Sequence, residues 1–210
     1  MRRVPLRAVP RAAWTLAVSF AGEWDAKGRD LVPTGMRPRI AAATVALHAL
    51  SLIVLPGAYQ SEDGSVVAML RRQERRTRLL ITFRAAIVVA PLLVAIARGP
   101  SWVAPAVVAL LALVLVPGWW GWKASKKYRP GAPKGSPTEP PATWSLSSVG
   151  CRPESRSSYT LFQVRELVRR HAEPGDTIGV VAGSTEVADG YLAIGFVRVD
   201  DDDPRMTLTL

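Results

Sequence analysis

The sequence predicts an α-helical membrane hairpin of two spans, three if one further helix also crosses, followed by a small α/β domain. Three observations predict it. Residues 102–122 (WVAPAVVALLALVLVPGWWGW) are 21 positions without a formal charge, which as a helix reach about 30 Å, the thickness of a hydrocarbon core. Residues 79–97 are 19 positions carrying one charge, Arg84, close enough to the basic end to snorkel back to the headgroups. The last 68 residues have the mixed polar and apolar character of an ordinary soluble unit.

The hairpin, 79–122, turns through Arg98, Gly99, Pro100 and Ser101. Pro91 and Pro105 should kink its helices without ending them. Trp119, Trp120 and Trp122 gather at one end, where indoles favour the membrane–water interface. Arg71, Arg72, Arg75, Arg76 and Arg78 precede the first helix, and Lys123, Lys126, Lys127 and Arg129 follow the second. The positive-inside rule therefore puts both ends on the cytoplasmic face and Arg98 outside. The expectation is a multi-pass protein of the cell membrane with its C-terminal domain cytoplasmic.

Upstream, residues 1–38 form a basic segment, and 39–56 an apolar helix that either spans the bilayer or lies in its interface. A third span would carry Arg2, Arg3, Arg7, Arg11, Arg37 and Arg39 outside, against the charge rule. Residues 57–78 read as a turn and then a basic juxtamembrane helix over 65–78, suited to anionic lipid headgroups. Residues 123–142 are basic and then proline-rich, an extended spacer.

Charge follows the same division. Residues 1–143 hold 20 Lys/Arg against 7 Asp/Glu, and residues 144–210 hold 7 against 10, for a net +10. The basic residues flank apolar runs, so the lipid bilayer, and no nucleic acid, is the expected partner. One cysteine, Cys151, excludes an internal disulfide and suits a reducing compartment. No spacing suggests a metal: His48 and His171 stand apart, and Asp200–Asp203 lack the pattern of a calcium loop.

Within 143–210 the order reads strand, helix, strand, helix, strand, strand. Residues 144–151 alternate as a strand. Residues 161–172 place Leu161, Val164, Leu167, Val168 and Ala172 on one helical stripe, with Glu166 and Arg170 paired at i,i+4. Residues 177–182 form a buried strand, 186–193 a short helix, and 196–199 with 206–210 a final strand pair.

The run GYLAIGFVRV at 190–199 resembles the last conserved block of GNAT-type N-acetyltransferases, Asn-x-x-Ala-x-x-Leu-Tyr-x-x-x-Gly-Phe. Tyr191, Gly195 and Phe196 stand at its Tyr, Gly and Phe; Ser184, Val187 and Gly190 replace its Asn, Ala and Leu. Strand 144–151, the loop from Pro153 to Tyr159 and helix 161–172 resemble that family's acetyl-CoA element, with its Pro-x-x-Arg-Gly-x-Gly loop. Pro153 and Arg156 match; Ser157 and Tyr159 stand where glycines let backbone amides approach the pyrophosphate. The resemblance covers the C-terminal half of the family fold. Residues 1–37 are too short to supply the other half, which a homo-oligomer or another partner would then provide.

What the resemblance implies is a membrane-anchored acetyltransferase-like protein, moving acetyl from acetyl-CoA to an unidentified amine. Tyr191 would protonate the departing thiolate, and Arg156, Ser157, Ser158, Tyr159 and Thr160 would bind the cofactor. The alternative is a degenerate, non-catalytic module that serves as a membrane-anchored binding or assembly protein, which the missing glycines favour. Absence of paired intramembrane charges argues against a hairpin that transports. A surviving cofactor site would show as a V-shaped gap between strands 144–151 and 177–182.

Overall fold

The computed structural model describes residues 1–22, 32–33, 35–127, 140–155, 158–201 and 203–210. Its centre is one seven-stranded sheet drawn from both ends of the chain. Strands β1 (Arg2–Arg3), β2 (Ala58–Gln60) and β3 (Val66–Arg72) precede the hairpin. Strands β4 (Trp144–Cys151), β5 (Thr177–Val181), β6 (Val197–Arg198) and β7 (Arg205–Thr209) follow it. The order is β1-β2-β3-β4-β5-β7-β6. Only β4 and β5 are parallel; every other neighbouring pair is antiparallel.

This differs from the expectation of a half-domain confined to 143–210. β3 pairs along the length of β4, from Val66 opposite Cys151 to Arg72 opposite Trp144. Strands β1, β2 and β3, from the residues before the hairpin, therefore continue the sheet of 143–210. Their part of it was hard to see because β1 has 2 residues and β2 has 3. The helix expected over 65–78 is likewise corrected: its first part is β3, and helix starts only at Arg75. The physical reason is two-sided burial. Val67 and Met69 enter the core on one face of the sheet, and Ala68 and Leu70 enter the core on the other. A strand covered on both faces loses the alternation that would announce it.

Helices α1 (Val9–Ala21) and α2 (Met36–Val54) connect β1 to β2. Val9, Ala12, Ala13 and Leu16 of α1 pack with Leu52 of α2 over Val67 and Met69. Helices α5 (Ser158–His171) and α6 (Thr185–Ala193) cover the opposite face. Val164, Leu167 and Val168 form the buried stripe of α5, against Leu146, Ile178, Val180 and Met206. The expected Arg170–Glu166 pair is present, Nε to Oε1 at 2.8 Å.

Helices α3 (Arg75–Arg98) and α4 (Val103–Lys127) form the hairpin inserted between β3 and β4. Pro91 and Pro117 lie inside them. Pro105 falls instead in the first turn of α4, where no helical hydrogen bond is lost and no kink is required. Leu79, Phe83, Ile87 and Val94 of α3 are more than half exposed, as are Val108, Leu113, Val116 and Trp119 of α4. Among the described residues two helices are long and apolar enough to cross a membrane, Met36–Val54 and Val103–Gly121. The α3 helix holds a shorter apolar run, Leu79–Pro91.

The base of α4 is anchored to the folded unit through α2. A Cβ on Gly118 would fall 2.4 Å from Leu47 Cδ1, and one on Gly121 would fall 2.7 Å from Thr44 Cγ2. Small residues let the two backbones meet this closely. Ala124 reaches the buried cluster of Ala17, Ala21, Ile40 and Ala41. Next to it, the Lys123 ammonium lies 4.0 Å from the centre of the Trp119 ring, one turn back along α4.

Candidate functional site

The parallel strands β4 and β5 stay together for three positions, Trp144–Ile178, Ser145–Gly179 and Leu146–Val180. Beyond Leu146, β4 continues along β3 to Cys151 and leaves β5 behind. Its register against β3 shifts between Val67 and Met69. At the same point Ser148 adopts φ +50°, a left-handed conformation that a residue with a Cβ rarely takes. An irregularity of this kind bends and twists a strand, and here it turns β4 away from its parallel neighbour.

The separation leaves a cleft of about 420 Å³ between the two strands. Ser147–Cys151 form one wall, and Val180, Val181 and Gly183 form the other. Thr160 and Leu161 of α5 and Val187, Gly190 and Tyr191 of α6 line it from one face of the sheet. Ser19 and Phe20, at the end of α1, line it from the opposite face. Ser19 Oγ accepts the Cys151 N–H at 3.1 Å, and a Cβ on Gly150 would meet Leu16 and Ser19 at 2.9 and 3.1 Å. The bareness of Gly150 thus lets α1 lie directly on the cleft's rim.

Tyr191 is buried, with its ring centroid 5.3 Å from that of Phe196. Burial raises its phenol above the ordinary tyrosine range, so it carries its proton throughout the physiological range. Ser184 caps α6, its Oγ accepting the Val187 N–H at 3.4 Å. That cap fixes the first turn of the helix whose second turn brings Tyr191 to the cleft.

Of the residues the sequence singled out, the cleft brings together Tyr191 and Thr160. Ser158 opens α5, and Tyr159 beside it is largely exposed. Arg156 and Ser157 lie outside the described residues. Cys151 sits on the rim, buried, while His171 is at the far end of α5, edge-on to Tyr59. Asp203 faces Arg205, whose guanidinium and backbone N–H both hold its carboxyl below the usual range. The sequence reading missed Ser19, Phe20 and Glu186, which also line the cleft. No local signal could have found Ser19, whose contact spans 132 positions of chain.

No family model matches the chain, and no curated protein matches it.

Proposed function

We propose that this chain is a membrane-anchored acetyltransferase that moves an acetyl group from acetyl-CoA to an amine. The observation that carries the reading is the cleft where β4 and β5 part, lined from both faces of the sheet, with the buried Tyr191 at its side. A cleft open to helices of both faces suits two reactants that meet in the middle. The order of strands and helices, with one parallel pair at the centre, also accords with the GNAT resemblance of residues 190–199.

The residues present fit such a cofactor in part. From Ser147 onward β4 has no β5 partner, so its backbone is placed to hydrogen-bond an extended, amide-bearing chain as an added strand would. Thr160 brings the start of α5 to the cleft, and the amides of a helix N-terminus favour phosphate. Acetyl-CoA, when bound, would supply an acetyl group activated as a thioester. Tyr191 holds a proton at its Oη, ready for a departing thiolate. Ser19 and Phe20 are placed to meet the acceptor from the other face.

The exposed apolar side chains of α3 and α4 are the support for membrane anchorage, since water would not tolerate so large a contiguous surface. In this reading α3 and α4 both cross, and their common base is the sheet. The α2 helix is long and apolar enough to cross, yet α1 before it and β2 after it belong to the same folded unit. It therefore stays on the domain's side, between α1 and α4. The basic residues on both flanks of the hairpin support a cytoplasmic side for the domain, where acetyl-CoA is found.

The second reading, a non-catalytic binding or assembly module, is favoured by one feature: Ser157 and Tyr159 stand where the resembled loop has glycines. Transfer from labelled acetyl-CoA to a panel of primary amines, by the full chain in detergent, separates the two. The enzyme reading predicts turnover that falls about 100-fold or more in Tyr191→Phe, the scale of a lost general acid, with acetyl-CoA binding retained. Binding without turnover of any amine would favour the module, and no binding would overturn both.

A further inference from the structure

A second cavity lies at the opposite end of α1 from the cleft. It measures about 190 Å³ and is lined by Arg2 and Arg3 of β1, Arg7 and Arg11 around the start of α1, and Gln60 at the end of β2. Four arginines line it against one acidic residue, Glu62. Among the described residues none of the four makes an ion pair; Arg2 and Arg11 donate to the backbone carbonyls of Glu62 and Asp63. The Asp63 carboxylate is turned away, toward the Ser61 hydroxyl and the Ser65 N–H. Neither the 3-10 turn at Leu6–Ala8 nor α1 has a side-chain cap or an acidic residue in its first turn. Positive charge is thus concentrated here, four arginines against Glu62, and among the described residues no ion pair neutralises it.

Gln60 supplies an independent observation. Its side chain is buried, and its Oε1 has no hydrogen-bond partner. A buried amide left unpaired costs about 1–3 kcal/mol, a cost that a ligand can offset. An amide can present either its oxygen or its nitrogen, so Gln60 can accept from a ligand hydroxyl or donate to an anionic oxygen. We infer that this pocket binds a phosphate group, held by Arg3 and Arg7 and ordered by Gln60. Guanidinium forks match phosphate oxygens in geometry as well as charge. The phosphate has two available sources. One is a soluble phosphate compound. The other is a lipid headgroup, because Leu6 and Trp14, on the same N-terminal elements as Arg7 and Arg11, are exposed apolar residues.

The test uses the full chain and follows its thermal unfolding midpoint. In detergent, inorganic phosphate is titrated against chloride at matched ionic strength. In nanodiscs, phosphatidylcholine alone is compared with phosphatidylcholine containing phosphatidylglycerol. Saturable protection by inorganic phosphate identifies the soluble source, and protection confined to the phosphatidylglycerol nanodiscs identifies the lipid. In either case the double variant Arg3→Gln/Arg7→Gln should bind at least about tenfold more weakly, the scale of one lost charge-assisted contact. Gln60→Leu should weaken binding while leaving the unliganded protein as stable as before or more so. A wild type that responds to neither source, or a double variant that responds as the wild type does, overturns the proposal. Should the double variant fail to fold, the phosphorus NMR linewidth of inorganic phosphate and of the nanodisc lipids decides. Broadening of either by the wild type and not by Gln60→Leu supports the site, and equal behaviour of the two proteins overturns it.

Discussion

The sheet and the hairpin are built from the same residues, chiefly Val, Leu, Ala and Ile, and dispose of them in opposite ways. In the sheet, Val67 and Met69 are buried under α1 and α2, and Leu70, Leu146 and Val180 under α5 and α6. In the hairpin, Phe83, Ile87, Leu113 and Val116 are more than half exposed. Hydrophobicity alone does not separate the two regions. What separates them is whether a second protein layer covers the apolar face; in the membrane-anchored reading proposed above, lipid takes that place over α3 and α4. The sheet also closes across the insertion: Gln73 N–H donates to the Thr143 carbonyl at 2.8 Å, just where the hairpin leaves and returns. The hairpin is thus inserted in the β3–β4 connection, and it meets the core through the base of α4, at Gly118, Gly121 and Ala124.

That comparison can be broken most directly by removing the hairpin. Replacing residues 74–142 with a two-residue Asn-Gly turn should join β3 to β4 in the register they already share, Arg72 opposite Trp144. The shortened chain is expected to leave the membrane pellet in an alkaline carbonate wash, while the full chain stays. Retention of both in the pellet would mean that α2 anchors the protein as well.

The next largest effect lies inside the sheet. Gly57 has φ +84°, and a Cβ there would sit 2.0 Å from the Leu70 carbonyl oxygen. Gly57→Ala is therefore expected to cost about 3 kcal/mol in chemical denaturation, through strain and lost β2–β3 pairing. A cost like that of an exposed helix glycine would show that β2 is not fixed in the sheet.

The smallest is a pH effect at the β2–β3 turn. Hydrogen bonds from the Ser61 and Ser65 side chains, and from the Ser65 backbone, lower the Asp63 carboxyl from 3.8 to about 2. A depressed carboxyl stabilises the fold fully above its unfolded value near 3.8, and that contribution disappears as pH falls through about 2. Because Asp63 is exposed, Asp63→Asn should lose less than about 1 kcal/mol at pH 7. The variant should also flatten the stability profile between about pH 4 and 2. An unchanged slope would place the acid sensitivity elsewhere.

Legibility in the sequence follows the same physical line. The α5 stripe was readable because one face is polar, with Glu166 and Arg170 a turn apart. Strand β4 was readable at its full length, 144–151. Strand β3 was not, because covering both its faces removes the alternation, and β1 and β2 are too short to announce themselves. In the cleft, Tyr191 and Thr160 came from local pattern and resemblance. Ser19 and Phe20 come from α1, which is brought there by Gly150 packing and by nothing written near either residue.

The proposed acetyl-CoA site is a cleft in a sheet that both ends of the chain complete. Equilibrium binding of acetyl-CoA by the full detergent-solubilised chain, set beside the isolated segment 143–210, tests this most directly. The account predicts saturable binding by the full chain and none by the segment, which lacks β3 and the α1 rim. Equal binding by the segment, or no binding by the full chain at millimolar ligand, would contradict it.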